Sequence, residues 1–111
     1  MIERQYKSEL YPFHCDFYIP ELNLYIEYQG YWTHGWNLNK PYGPYDPSNL
    51  EHQYLVAKWQ KRLNKGHETY ANAIHVWTVS DPLKRQTAKD NNLNWLEFWT
   101  FDEFIEWYEK Q

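Results

Sequence analysis

Asp16 and Glu27 bracket the stretch "DFYIPELNLYIE", with Gln29 and His34 close behind. Pro20-Glu21-Leu22-Asn23 reads as a tight turn, so the segments on either side predict a hairpin. A turn centred between Glu21 and Leu22 sets Asp16 opposite Glu27 and His14 opposite Gln29. The same register sets Phe17 against Ile26 and Ile19 against Leu24. One face is then apolar, and the other holds two carboxylates, an imidazole and an amide. A one-residue slip would scramble both faces, so the pattern itself supports the register. Residues facing each other across strands have Cβ atoms about 5 Å apart, and like charges so placed repel unless neutralised. A hard divalent cation bound by both carboxylates is one solution, because Mg²⁺ commonly uses one or two carboxylates plus water and phosphate oxygens. A shared proton or a neighbouring Lys or Arg is the other.

The elements that must hold this hairpin follow from patterning. Residues 2–8 predict a short polar edge strand. Phe13 to Ile19 alternates, with Phe13, Cys15, Phe17 and Ile19 on one face and His14, Asp16 and Tyr18 on the other. Leu24 to Gln29 forms the returning strand. Gly30 to Ser48, rich in Gly, Pro, Tyr and Asn, is long enough for a functional loop. Ser48 or Asn49 caps a helix running to about Asn64 and stopped by Gly66. His52, Val56, Trp59 and Leu63 share its inner face, so His52 points inward as a core or supporting histidine. Tyr70 to Val79 fits either a short helix or a strand. Asp81-Pro82 predicts a helix start, with Asp81 as N-cap. Trp95 to Trp99 reads as a buried strand. Thr100 to Glu103 is a capping box opening a last helix, with Phe101, Phe104, Ile105 and Tyr108 as its apolar stripe. The expectation is one α/β (α+β) domain over residues 1–111, a mixed central sheet with an N-terminal β-hairpin, flanked by helices.

Composition narrows the function. The chain has 111 residues, 21% of them aromatic, which permits a substantial core despite a mean hydropathy of -0.94. No apolar run approaches the roughly 20 residues that cross a bilayer, and no signal-peptide pattern opens the chain. The lone Cys15 excludes an intrachain disulfide and fits a reducing, cytoplasmic setting. No CxxC or HxxxH spacing supports structural zinc. The formal net charge is -4, unlike a general nucleic-acid coat, but the cations cluster. Lys58, Lys61, Arg62 and Lys65 form one group and Lys84, Arg85 and Lys89 another, so a local basic face coexists with an acidic total.

Asp16 followed by Glu27-Tyr28-Gln29 at the end of the next strand resembles the PD-(D/E)XK nuclease signature, with Cys15 in place of the usual Pro and Gln29 in place of the usual Lys. The continuation Gly30-Tyr31-Trp32-Thr33-His34 is similar to very-short-patch-repair endonucleases and to the related EDxHD phage homing nucleases. The resemblance spans about residues 5 to 98. It implies a restriction-endonuclease-like fold and Mg²⁺- or Mn²⁺-dependent cleavage of DNA, with a phage or mobile-element origin. It assigns Asp16 and Glu27 to the metal, Gln29 to the attacking water and His34 to proton transfer. Trp77 to Asp81, with Lys84 and Arg85, resembles the family's late aspartate and basic helix. Families of this kind open with a helix before the first strand. Either that helix is absent here, or the chain belongs to a longer protein.

Phosphodiester hydrolysis needs an activated water, charge neutralisation on the phosphate and protonation of the leaving oxygen, and these residues could supply all three. Lys58, Lys61, Lys84, Arg85 and Lys89 are candidate DNA contacts, as are Trp32 and Trp36 as wedges or stacking rings. His14, His52 and Asp81 would support the reacting groups, Asp81 alternatively serving only as a helix cap. An enzyme of this kind cutting both strands would act as a homodimer. Two rivals remain. One is an aromatic-rich binding module for nucleic acid or carbohydrate; the other is a degenerate nuclease fold retained for interaction. Only the nuclease requires Asp16 and Glu27 to hold a divalent ion together.

Overall fold

Pro20 to Leu22 form a single 3₁₀ turn, and Asn23, at φ 47° and ψ 43°, closes it in the left-handed region that asparagine tolerates better than most residues. This turn joins the central strands of a computed structural model that describes residues 1–111. The fold is mixed α+β, and it divides into two units: Met1–Gly30 with Lys84–Gln111, and Tyr31–Leu83. No helix is long and apolar enough to cross a membrane.

The first unit holds a four-stranded mixed sheet built from β1 (Glu3–Tyr6), β2 (Cys15–Ile19), β3 (Leu24–Tyr28) and β6 (Asn94–Phe98), in the order β1-β2-β3-β6. β1 with β2 and β2 with β3 pair antiparallel, and β6 lies parallel to β3. The hairpin register is the expected one, with Phe17 opposite Ile26, Tyr18 opposite Tyr25 and Ile19 opposite Leu24. Burial of Leu24, Tyr25, Ile26 and Glu27 in succession marks β3 as a central strand covered on both faces.

The alternation along β2 does not hold through Asp16. Cys15 and Phe13 pack with Tyr11, Tyr25 and Ala88, whereas Phe17 and Ile19 pack with Leu24, Ile26 and Phe98. The break falls at Asp16, whose N–H donates to Glu27 Oε1 and whose Oδ2 accepts from the Tyr28 N–H in place of ladder bonds to β3. The β1–β2 ladder pairs Arg4 with Phe17 and Tyr6 with Cys15, while Gln5 between them takes a positive φ of 52°. The pairing keeps one register across Gln5, with no extra residue on either strand. His14 is likewise not opposite Gln29. It is exposed and precedes β2, while the Gln29 N–H donates to Phe98 O at 2.6 Å.

α4 (Phe101–Glu109) opens with the expected capping box between Thr100 and Glu103. Its packing face is shifted from the expected stripe. Phe104 and Trp107 close on Phe98, whereas Phe101 and Tyr108 stay exposed beside an apolar groove of about 530 Å³.

The second unit packs around Trp77, which is fully buried. The short strands β4 (Trp36–Asn37) and β5 (Lys40–Pro41) pair within the long loop, and α1 (Leu50–Asn64) follows. Asn49 caps α1, its Oδ1 accepting from the Glu51 and His52 N–H groups. His52, Leu55 and Trp59 form the buried face of α1, so Leu55 takes the deep position expected of Val56. Gly35 sits at φ 90°, and a Cβ there would run into the Trp77 indole.

α2 (Thr69–His75) passes through a π turn, Val76–Ser80, directly into α3 (Asp81–Asp90). Asp81 therefore does not cap a helix: at φ -65° and ψ -45° it is helical itself. Pro82 lacks the N–H that would bond back into the preceding turn, and the wider π turn lies where that ladder is interrupted. Turns of this kind occur often at functional sites.

Candidate functional site

In the first unit β3 delivers Glu27 into the interior, 2% exposed. A carboxylate there demands partners. The Tyr11 hydroxyl donates to Glu27 Oε2 at 2.5 Å, the Asp16 N–H donates to Oε1 at 3.2 Å, and Lys84 Nζ stands 3.6 Å from Oε2. Burial pushes the Glu27 carboxyl above its ordinary pKa. The Lys84 charge and the Tyr11 hydrogen bond pull it back, and the Asp16 charge adds to the rise. Tyr11 is fully buried, and burial followed by the Glu27 charge raises its hydroxyl, so it remains a donor. The same two causes push the Cys15 thiol up to about 12, which leaves it an unreactive core group.

Asp16 is half-buried, and the Tyr28 N–H donates to its Oδ2 at 2.8 Å. Its carboxylate thus takes the place of a backbone acceptor at the end of β3 and offers its other oxygen to a ligand. The β2–β3 pairing ends at Phe17 and Ile26, so Asp16 is not a ladder partner of Glu27; it meets Glu27 through its own N–H.

Glu97 enters from the parallel strand. It is the register partner of Glu27, so the two acids share a sheet face. Arg85 grips Glu97 through Nε at 2.6 Å and Nη2 at 3.0 Å, and Gln29 Nε2 donates to Glu97 Oε2 at 3.1 Å. Gln29, 3% exposed, therefore ties β3 to β6. Lys84 and Arg85, expected on a DNA-facing helix, are turned to Glu27 and Glu97, while Lys89 is exposed.

Three carboxylates, Asp16, Glu27 and Glu97, face two cations, Lys84 and Arg85, which leaves one excess negative charge. No group of three or more acidic, His or Cys side chains gathers at ligand distance. Of the Asp16–Glu27 pair, Asp16 has one oxygen turned to the Tyr28 N–H, and both Glu27 oxygens meet donors of the protein; hard carboxylate oxygens are the donor class that Mg²⁺ and Mn²⁺ take.

The second unit carries a separate pair. His34 ends the 3₁₀ turn Trp32–His34, and its Nδ1 lies 2.7 Å from Oδ2 of Asp81, which is 2% exposed. A carboxylate only accepts, so this hydrogen bond places a proton on Nδ1. His52 Nδ1 accepts the Asp46 N–H at 2.9 Å, and its ring stacks on Tyr42. It supports the loop from within the core. Trp32 stands edge-on to Trp59 at 5.7 Å, and Trp36 is half-buried on β4.

Tyr11 and Glu97 were absent from the sequence-based candidates. Glu97 had a signal, as the sole charge within the apolar run Trp95 to Trp99. Tyr11 had none, because it lies between strands where no period operates. Comparison with protein-family models, curated proteins and solved structures finds no match for this chain.

Proposed function

We propose that this chain is a metal-dependent endodeoxyribonuclease on a restriction-endonuclease-like fold, acting on DNA in the cytoplasm of a host cell. The observation that carries the reading is the buried Glu27 beside Asp16, with Lys84 Nζ at 3.6 Å. Lysine is missing from the strand position that Gln29 occupies, but a cation reaches the same carboxylate from α3. Asp16 and Glu27 would hold the Mg²⁺ or Mn²⁺, which when bound neutralises charge on the phosphate and acidifies the attacking water. The Lys84 charge favours the ionised form of Glu27 against its burial and supplies fixed positive charge near it. Gln29, with Glu97 and Arg85, fixes the end of β3 and thereby the aim of Glu27.

The resemblance assigns His34 to the leaving oxygen. The Asp81 carboxylate supports that role by fixing the ring and its tautomer. Replacement of Asp81 by Asn presents an amide to Nδ1 and releases the tautomer. The expected result is a cleavage rate lower by about 10²- to 10⁴-fold with DNA affinity retained, measured by single-turnover cleavage beside a gel-shift titration. Loss of affinity in parallel with rate would instead make the pair structural.

One observation favours the rival reading of a nuclease fold retained for binding: the Gln29 amide is committed to Glu97, so it donates to the protein. Supercoiled plasmid separates the readings. Nicking in Mg²⁺ or Mn²⁺ that EDTA stops supports the nuclease, and no nicking with either metal refutes it. Linear product rising faster than two independent nicks allow would point to a homodimer cutting both strands.

A further inference from the structure

We propose that the outer face of α1 binds single-stranded nucleic acid, with Lys58, Lys61, Arg62 and Lys65 on the phosphates and Tyr54 stacked on an unpaired base. The inference rests on the nuclease reading only for the class of polyanion. Its evidence lies wholly in the second unit.

Tyr54, Lys58, Lys61, Arg62 and Lys65 follow one another along successive turns of α1 and its C-cap, opposite the buried His52, Leu55 and Trp59. With Ala57 they line one shallow hollow of about 400 Å³. The small side chain at 57 leaves room between the longer ones. None of the four cations takes part in an ion pair, whereas Lys84, Arg85 and Lys110 each do.

That arrangement works against the isolated helix. Lys58 with Arg62 and Lys61 with Lys65 are like-charge pairs one turn apart, each unfavourable by about 0.2–0.5 kcal/mol. In a chain whose net charge is -4, the one acid on this face, Glu51, stands in the first turn of α1, and none is interspersed among the four cations. A polyanion relieves the repulsion.

The aromatic ring narrows the ligand. Tyr54 is 69% exposed and lies one turn before Lys58, whereas the partly buried Trp32 packs against Trp59. A matched duplex satisfies the cations but hides its base faces in the stack. An unpaired strand offers both a phosphate track and a bare base face, and cations around an exposed aromatic are the recurring means of holding it.

The test is fluorescence anisotropy of the full chain in EDTA with a labelled twelve-nucleotide oligo-dT strand and with a matched duplex of equal length. The expected results are tighter binding of the single strand and at least a fivefold loss in Tyr54→Ala on the single strand alone. Tyr54→Phe should bind like the wild type. Lys61→Gln, Arg62→Gln and Lys65→Gln combined should flatten the salt dependence of log K by about 2, at ~0.7 per lost phosphate contact on a single strand. Circular dichroism confirms that the exposed substitutions leave α1 intact. No binding of the single strand by the wild type, an unchanged affinity in Tyr54→Ala, or an equal loss on duplex and single strand overturns the proposal. Cleavage plays no part in this readout. Binding without nicking removes the nuclease reading and keeps this surface, and nicking with no role for Tyr54 does the reverse.

Discussion

Glu27→Gln is expected to lower DNA cleavage by at least ~10³-fold and to change how stability depends on pH. The amide preserves the shape of the side chain and can still accept the Tyr11 hydroxyl that now bonds Oε2, but it offers no charge to a cation. The stability effect follows from the raised pKa of the Glu27 carboxyl, caused first by burial. A carboxyl whose folded pKa lies above its unfolded value contributes stability that is fully present below the unfolded pKa, ordinarily about 4.5. That contribution is lost as pH rises through the folded value. The wild type should therefore fare best against Glu27→Gln at about pH 4, and the melting-temperature difference should move in favour of the variant as pH rises. Thermal melts from pH 4 to 8 check this. A difference that stays constant across the range would mean that Glu27 carries no strained charge.

The second large effect is expected from Lys84→Met. Lys84 is the nearest cation to Glu27, and removing one member of a buried pair leaves the other charge uncompensated. The Lys84 side chain keeps 25% of its exposure, so water screens part of the interaction and the cost falls to about 1–3 kcal/mol. Most of that cost should vanish in the Glu27→Gln background, where the carboxylate is already gone, so a double-mutant cycle by urea denaturation isolates the coupling. Cleavage by Lys84→Met should fall by about 10²- to 10³-fold, the range for removing one preorganised electrostatic contact. Equal destabilisation in both backgrounds would assign Lys84 to packing by its stem.

The hairpin was legible because its evidence is redundant. Phe17 with Ile26 and Ile19 with Leu24 satisfy the apolar face only in one register, and just beyond it the Asp16 N–H reaches Glu27. α1 and α4 were legible from Asn49 and Thr100, whose caps are local chemistry. Three features were not. Cys15 and Phe17 turn to different clusters, and nothing in a period-two pattern announces that break at Asp16. Asp81-Pro82 carries the same local signals at a helix start and after a π turn. Only the tertiary contact from His34 shows that the Asp81 carboxylate is spent on an imidazole rather than on a cap. The Glu97 pairing depends on a parallel crossover to a strand far away in the chain, a partnership that local patterning cannot specify.

The most direct measurement is DNA nicking by the wild type and by Asp16→Ala side by side in Mn²⁺, with plasmid binding recorded for both in EDTA. Asp16 sits at the surface end of the pair and offers an oxygen, so its loss removes a donor without opening the core. The account predicts that the wild type nicks the plasmid and that Asp16→Ala binds it equally well but leaves it intact. Nicking by Asp16→Ala at the wild-type rate, or none by the wild type, would contradict the hairpin carboxylates as the reacting site.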